Sequence, residues 1–237
     1  MVAASCCSGP DVFVYVPSRR KPPPVWATPL LVAVSMGLFV WLATLGPQRV
    51  PLLERWGAVP ETLFSAGGAL HALLDGRVLT LFSAIFIHAD WLHLIGNLLF
   101  LVIFGLPAER ALGPWRFLLL FLACGASANL AAALSLHRSE SVIVGASGAV
   151  SGIIGAYLAL FPRARLGVVL PLGLFLEFVR TPASLLIGIW ALLQIIFTWV
   201  GPAFGAVAWW AHLSGFALGI MFALIARPAI AKRLRGG

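Results

Sequence analysis

The sequence predicts an all-α, polytopic membrane protein built as a bundle of six transmembrane helices. Three observations point there. Of 237 residues, 61% are hydrophobic and only 10% charged, and the mean hydropathy is +1.00; an ordinary soluble domain is about 25% charged. The chain also holds uncharged apolar stretches close to the roughly 20 helical residues that cross a hydrocarbon core of about 30 Å. Finally, its basic residues gather at the ends of those stretches and form no single patch. The net charge of +8 therefore reads as membrane topology and excludes a nucleic-acid partner.

Residues 1–25 read as a disordered cytoplasmic tail, carrying Arg19-Arg20-Lys21 and Pro22-Pro23-Pro24. The first span is expected over 26–45. It reads as a retained anchor, because Ala43-Thr44-Leu45 is a poor small-x-small cleavage site. An external loop follows over 46–90, long enough to suggest a functional role. The remaining spans are expected over 91–108, 117–136, 142–161, 182–200 and 205–226, the last two separated at Gly201-Pro202. Residues 166–176 are apolar but too short to cross, and read as an interfacial or loop segment. A basic cytoplasmic tail closes the chain over 227–237. The domain proper is thus 26–226.

Six spans place both termini on one side. On that side fall Arg19, Arg20, Lys21, Arg110, Arg116, Arg163, Arg165, Arg180, Arg227, Lys232, Arg233 and Arg235, or 12 of the 16 basic residues. Lys and Arg favour cytoplasmic loops, so the termini are expected in the cytoplasm, the chain lying in the inner or plasma membrane of a cell. Fourteen Arg against two Lys, with abundant Ala, fit a prokaryotic, GC-rich origin. Cys6, Cys7 and Cys124 make no disulfide framework.

Polar side chains within a bilayer cost several kcal/mol and need a reason. His93 and Asn97 on the second span, Ser147 on the fourth and His212 on the sixth are the informative ones. Singly each is bland: a serine bonds back to its own helix, and an asparagine or histidine joins two helices. Together they are not. At about 1.5 Å per residue, they lie roughly 3, 9, 8 and 10 Å below the outer ends of their spans. Four polar groups in one shallow layer suit a water-accessible site recessed into the membrane. Gly145, Gly148, Gly152 and Gly155 form a small-residue stripe on the fourth span, and His212 is in line with Gly215 and Gly219 on the sixth. Such stripes let backbones approach closely in lipid, which would bring Ser147 within reach of an imidazole.

At this point the chain resembles the rhomboid family. Gly145-Ala146-Ser147-Gly148 is similar to that family's Gly-x-Ser-Gly. The run from His88 through His93 to Asn97 resembles its histidine–histidine–asparagine pattern. Ala211-His212 with Gly215, Phe216 and Gly219 resembles its last-span motif, and Phe104-Gly105, Glu109 and Gly113 the end of its second span. Two features depart from the family. Gly76-Arg77 stands where many relatives have Trp-Arg, and Ser151 where some place an aromatic residue.

The resemblance implies an intramembrane serine endopeptidase, with Ser147 as nucleophile and His212 as base. Its substrates would be single-span membrane proteins within the lipid bilayer, and the oligomeric state stays open. Asp11, Asp75 and Asp90 all lie outside the spans, so no Ser-His-Asp triad is expected and packing should orient the imidazole. The Ser147 backbone N–H, the Asn97 amide and the His93 ring are the candidate oxyanion donors. His88, Glu109, Gly145, Gly148, Gly215 and Gly219 are candidate structural supports. No cofactor and no metal is expected; the sequence has no His-Glu-x-x-His motif for a zinc protease and no paired intramembrane aspartates for an aspartyl type. The alternative is a non-catalytic rhomboid-like protein that binds or chaperones membrane clients.

Overall fold

Apolar side chains crowd both the inside and the outside of this molecule. In the computed structural model, residues 24–64, 75–136, 139–172, 175–200 and 209–235 are described. Five helices are long and apolar enough to cross a membrane: α1 (Ala27–Thr44), α5 (Trp91–Leu112), α6 (Pro114–Ser135), α8 (Ala183–Val200) and α9 (Trp209–Arg235). A shorter apolar helix, α7 (Ser147–Leu160), is enclosed among them. Large apolar residues such as Leu92, Trp115, Trp199 and Ile225 face outward. A soluble surface would not expose them so densely. The chain is a helical, multi-pass membrane protein.

The described residues between α1 and α5 form short helices: α2 (Arg49–Trp56), α3 (Pro60–Leu63) and α4 (Thr80–Ser83), with 3₁₀ turns at Arg77–Leu79 and Ala84–Phe86. This segment is tied down through backbone groups. Asn129 on α6 donates to the Leu81 carbonyl at 2.8 Å, and Ser83 donates to the Trp56 carbonyl at 2.6 Å.

Glu109 anchors the opposite end of the bundle. Its fully buried carboxylate accepts from the backbone N–H groups of Trp26, Ala27 and Thr28 at 2.8, 2.7 and 2.8 Å. Those are donors that the first turn of α1 would otherwise leave unpaired. The bond fixes the start of α1 against the end of α5, as two antiparallel spans require.

Three expectations need correction. The fourth span was expected to be helical over 142–161, yet α7 begins only at Ser147. The preceding residues are extended, and Ala58 and Ile143 exchange N–H···O bonds of 3.0 and 2.8 Å. Gly145 turns the chain at φ +117°, a backbone conformation that favours glycine, while its N–H donates to the Ala84 carbonyl at 2.9 Å. Non-helical backbone is tolerated at membrane depth when protein satisfies it, as here. At about 1.5 Å per residue, α7 measures roughly 21 Å, shorter than a full crossing.

The segment 166–176, expected as an interfacial or loop segment, is strand rather than loop over its described residues. It belongs to an antiparallel hairpin of β1 (Arg165–Leu172) and β2 (Phe175–Pro182), in register Arg165↔Pro182 to Leu172↔Phe175. Pairing satisfies the backbone of an apolar stretch too short to span. The last helix, too, does not stop at 226: α9 continues through Pro228 to Arg235, so most of the expected tail is helical. The tail expected over 1–25, except its last two residues, lies outside the described residues. So does the Gly201-Pro202 break with the expected start of the sixth span at 205.

α7 is buried on every side, as a helix apolar all round must be. Its glycines set the packing distances. A side chain at Gly215 would collide with the Gly148 carbonyl, at Gly219 with the Gly152 carbonyl, and at Gly155 with the Phe216 carbonyl. Thus α7 and α9 touch backbone to backbone. On its other flank, Gly148 packs on Ala128 and Gly152 on Cys124, both of α6.

Candidate active site

Ser147 is the first residue of α7. Among the described residues no backbone acceptor meets the N–H groups of Ser147, Gly148 and Ala149, the first helical bond being Val150 N–H to the Ala146 carbonyl at 2.8 Å. A helix start of this kind points its free donors, and the positive end of its dipole, at whatever negative charge forms there.

The residues around it come from two other helices. Asp90 caps α5 by accepting from the His93 N–H at 2.9 Å, which places His93 in the first turn and Asn97 one turn deeper on the same face. The His93 ring fills the space beside Gly145 that a side chain would occupy. His212 stands in the first turn of α9. Asn97 is buried, and its Nδ2 has no hydrogen-bond partner among the described residues. An unpaired buried donor is rare and needs an explanation.

Two cavities meet here. One, of about 280 Å³, lies between α5 and α8 and is lined by His93, Asn97, Ser147, Ser151, Gln194 and His212 among others. The second, of about 530 Å³, is lined by Asp90, Asn129, the extended stretch 141–145, and again His93, Ser147 and His212. The fold therefore brings Ser147, His212, His93 and Asn97 to one place. Ser147 and His212 share both cavity walls with no hydrogen bond between them among the described residues.

His88 sits behind this group. Its ring packs edge-on to His93 with centroids 5.2 Å apart, and its Nε2 accepts from the Ala146 N–H at 3.4 Å. Burial first, then the neighbouring His93, pushes His88 down to about 4, against weaker opposing effects of Phe86 and Asp90. It is therefore neutral at ordinary pH, the form that can accept from the residue before the nucleophile. Glu109 does not belong to the site. It lies 16 residues beyond His93 on α5, about 24 Å along the helix. Gly148, Gly215 and Gly219 lie on the contact line of α7 and α9.

One expectation about the base needs correction. Packing alone does not orient the imidazole: Nδ1 of His212 lies 2.7 Å from Oε1 of Gln194 on α8. Gln194 is not among the residues singled out from the sequence, although an amide within an uncharged span is the available signal.

Comparison with known proteins gives the family. Residues 75–229 match the Rhomboid domain. The chain is 33% identical over 115 residues to RHOMBOID-like protein 5 of Arabidopsis thaliana, covering 48% of this chain and 34% of that protein. It is 38% identical over 106 residues to Rhomboid protease GluP of Bacillus subtilis, covering 44% and 20%. With Rhomboid-like protease 2 of Toxoplasma gondii it shares 29% identity over 134 residues, covering 56% and 46%. The matched region spans less than half the length of each of these relatives. With the Rhomboid match extending over most of the chain and holding every residue of the site, this chain belongs to the rhomboid family.

Proposed function

We propose that this protein is an intramembrane serine endopeptidase, which cuts a peptide bond in or near the transmembrane segment of single-span membrane proteins. The observation that carries the reading is the convergence of Ser147, His212, His93 and Asn97, from three separate helices, on the smaller cavity, with all but Asn97 also lining the larger one. Two of the relatives are themselves named proteases.

In this reading His212 takes the proton of the Ser147 hydroxyl as its oxygen attacks the scissile carbonyl, then delivers it to the leaving amine. The oxyanion is met by the Ser147 N–H at the start of α7 and by the unpaired Asn97 amide, with the His93 ring alongside. Water then repeats the sequence on the acyl-enzyme, restoring Ser147. His88 braces the turn that presents the nucleophile. The larger cavity supplies water, and the smaller one, between α5 and α8, admits the substrate. The termini face the cytoplasm.

Incubating the purified protein in liposomes with a reporter single-span protein tests this. One discrete cut by the wild type, absent with Ser147→Ala, is expected. An equal cut by the Ser147→Ala variant would remove the serine mechanism.

A further inference from the structure

Helix α8 turns most of its surface outward, with Leu185, Ile189, Leu192, Ile196 and Trp199 all exposed. Its inward face is narrow, and one polar side chain with a long reach stands on it. Gln194 is buried, with a relative exposure of 7%. An amide there costs free energy unless it is hydrogen-bonded.

Three contacts in antiparallel register join this face to α9. Trp190 meets Phe216 with ring centroids 5.6 Å apart, and Phe197 stacks on Trp209 at 4.9 Å. Between these aromatic rungs, Gln194 Oε1 meets His212 Nδ1 at 2.7 Å. Trp209 also packs edge-on to the His212 ring, with centroids 5.9 Å apart. The aromatic pairs fix the height of Gln194 against His212, and the amide fixes the plane of the ring. Gln194 borders the smaller cavity together with Ser147 and His212.

We propose that Gln194 is the positioning residue of His212. An amide oxygen can only accept, so the ring nitrogen facing it must carry the proton. Holding the Nδ1–H tautomer leaves the lone pair on Nε2, the nitrogen that must accept the proton of Ser147. The task is the one a buried carboxylate performs in a triad, here done by a neutral group in a bundle whose aspartates all lie outside the spans. The inference rests on the proteolytic reading for its consequence, but not for its geometry.

The test has two arms on the full-length protein in detergent. Nitrogen-15 NMR of histidine-labelled protein reads the tautomer directly, with His212 assigned by comparison with His212→Ala. The wild type should show Nδ1–H at His212, and Gln194→Leu a shift toward mixed tautomers. An Nε2–H tautomer in the wild type would overturn the proposal whether or not the protein cleaves anything. In the kinetic arm, Gln194→Leu and Gln194→Met should lower kcat about ten- to a hundredfold with KM nearly unchanged. Gln194→Glu keeps an acceptor at the same reach and should recover most of that loss. Wild-type kcat per folded molecule in either apolar variant would overturn the proposal, as would equal losses in all three variants. Loss of the Ser147 reaction in the wild type would instead remove the proteolytic reading, leaving the tautomer result to stand alone.

Discussion

An asparagine donor that is buried and unpaired is costly, and among the described residues the Asn97 amide finds no partner. If its amide serves the oxyanion, Asn97→Ala should lower turnover about a hundredfold, some 3 kcal/mol, with little change in KM. A role as helix glue alone would show the reverse, a lowered melting temperature with normal turnover per folded molecule. His88 carries a pH signature of its own. The unfolded chain takes up a proton near pH 6.5, whereas the folded chain resists protonation until about pH 4. Between those values the unfolded state binds more protons, so stability falls as pH drops through the window, by at most about 3 kcal/mol. His88→Gln keeps an acceptor for Ala146, so its melting temperature should fall less than the wild type's between pH 7 and 4.5; parallel curves would contradict the assignment. At this scale much of the site was legible in the sequence. Ser147, His212, His93 and Asn97 stand out because polar groups are expensive in apolar spans. Gln194 satisfied the same rule, but its meaning depends on a partner on another helix, which spacing does not reveal.

Elements were read where length and composition agreed, and misread where they did not. The stretch Val142-Ile143-Val144 is apolar and β-branched, and it continues without a break into the small residues of α7. An apolar run of that kind suits a buried strand as well as a helix. What decides is the exchange with Ala58, 85 residues away, together with the turn at Gly145. The hairpin β1–β2 went unread for the same reason, since pairing partners are not visible in a single apolar segment. The glycine stripes were legible, and they give a sharp expectation. Gly219→Ala would push a methyl into the Gly152 carbonyl, so it should destabilise by about 1–3 kcal/mol. Gly188→Ala meets nothing within 4 Å and should be neutral or slightly stabilising. Thermal melts of the two variants side by side check this; equal melting temperatures would mean that α7 and α9 do not pack as described.

Across the whole molecule, the order of the helices fixes which described segments share a face. The Glu61 N–H donates to the Ser139 carbonyl at 3.2 Å, so these two positions share one face, whereas Arg163 follows the far end of α7. Single cysteines at Glu61 and Ser139, in a background lacking Cys6, Cys7 and Cys124, should react with an impermeant thiol reagent from outside intact cells. A cysteine at Arg163 should react only after the membrane is opened. Labelling of Arg163 and Ser139 from the same side would contradict the arrangement of the bundle.

The central claim is that this fold makes Ser147 a nucleophile through His212. The most direct measurement is the rate at which a fluorophosphonate reagent labels the purified protein, with the modified residue identified by mass spectrometry. The account predicts a single adduct on Ser147, formed at least about a hundredfold more slowly in His212→Ala. No adduct on Ser147, or equal labelling rates in the two proteins, would contradict it.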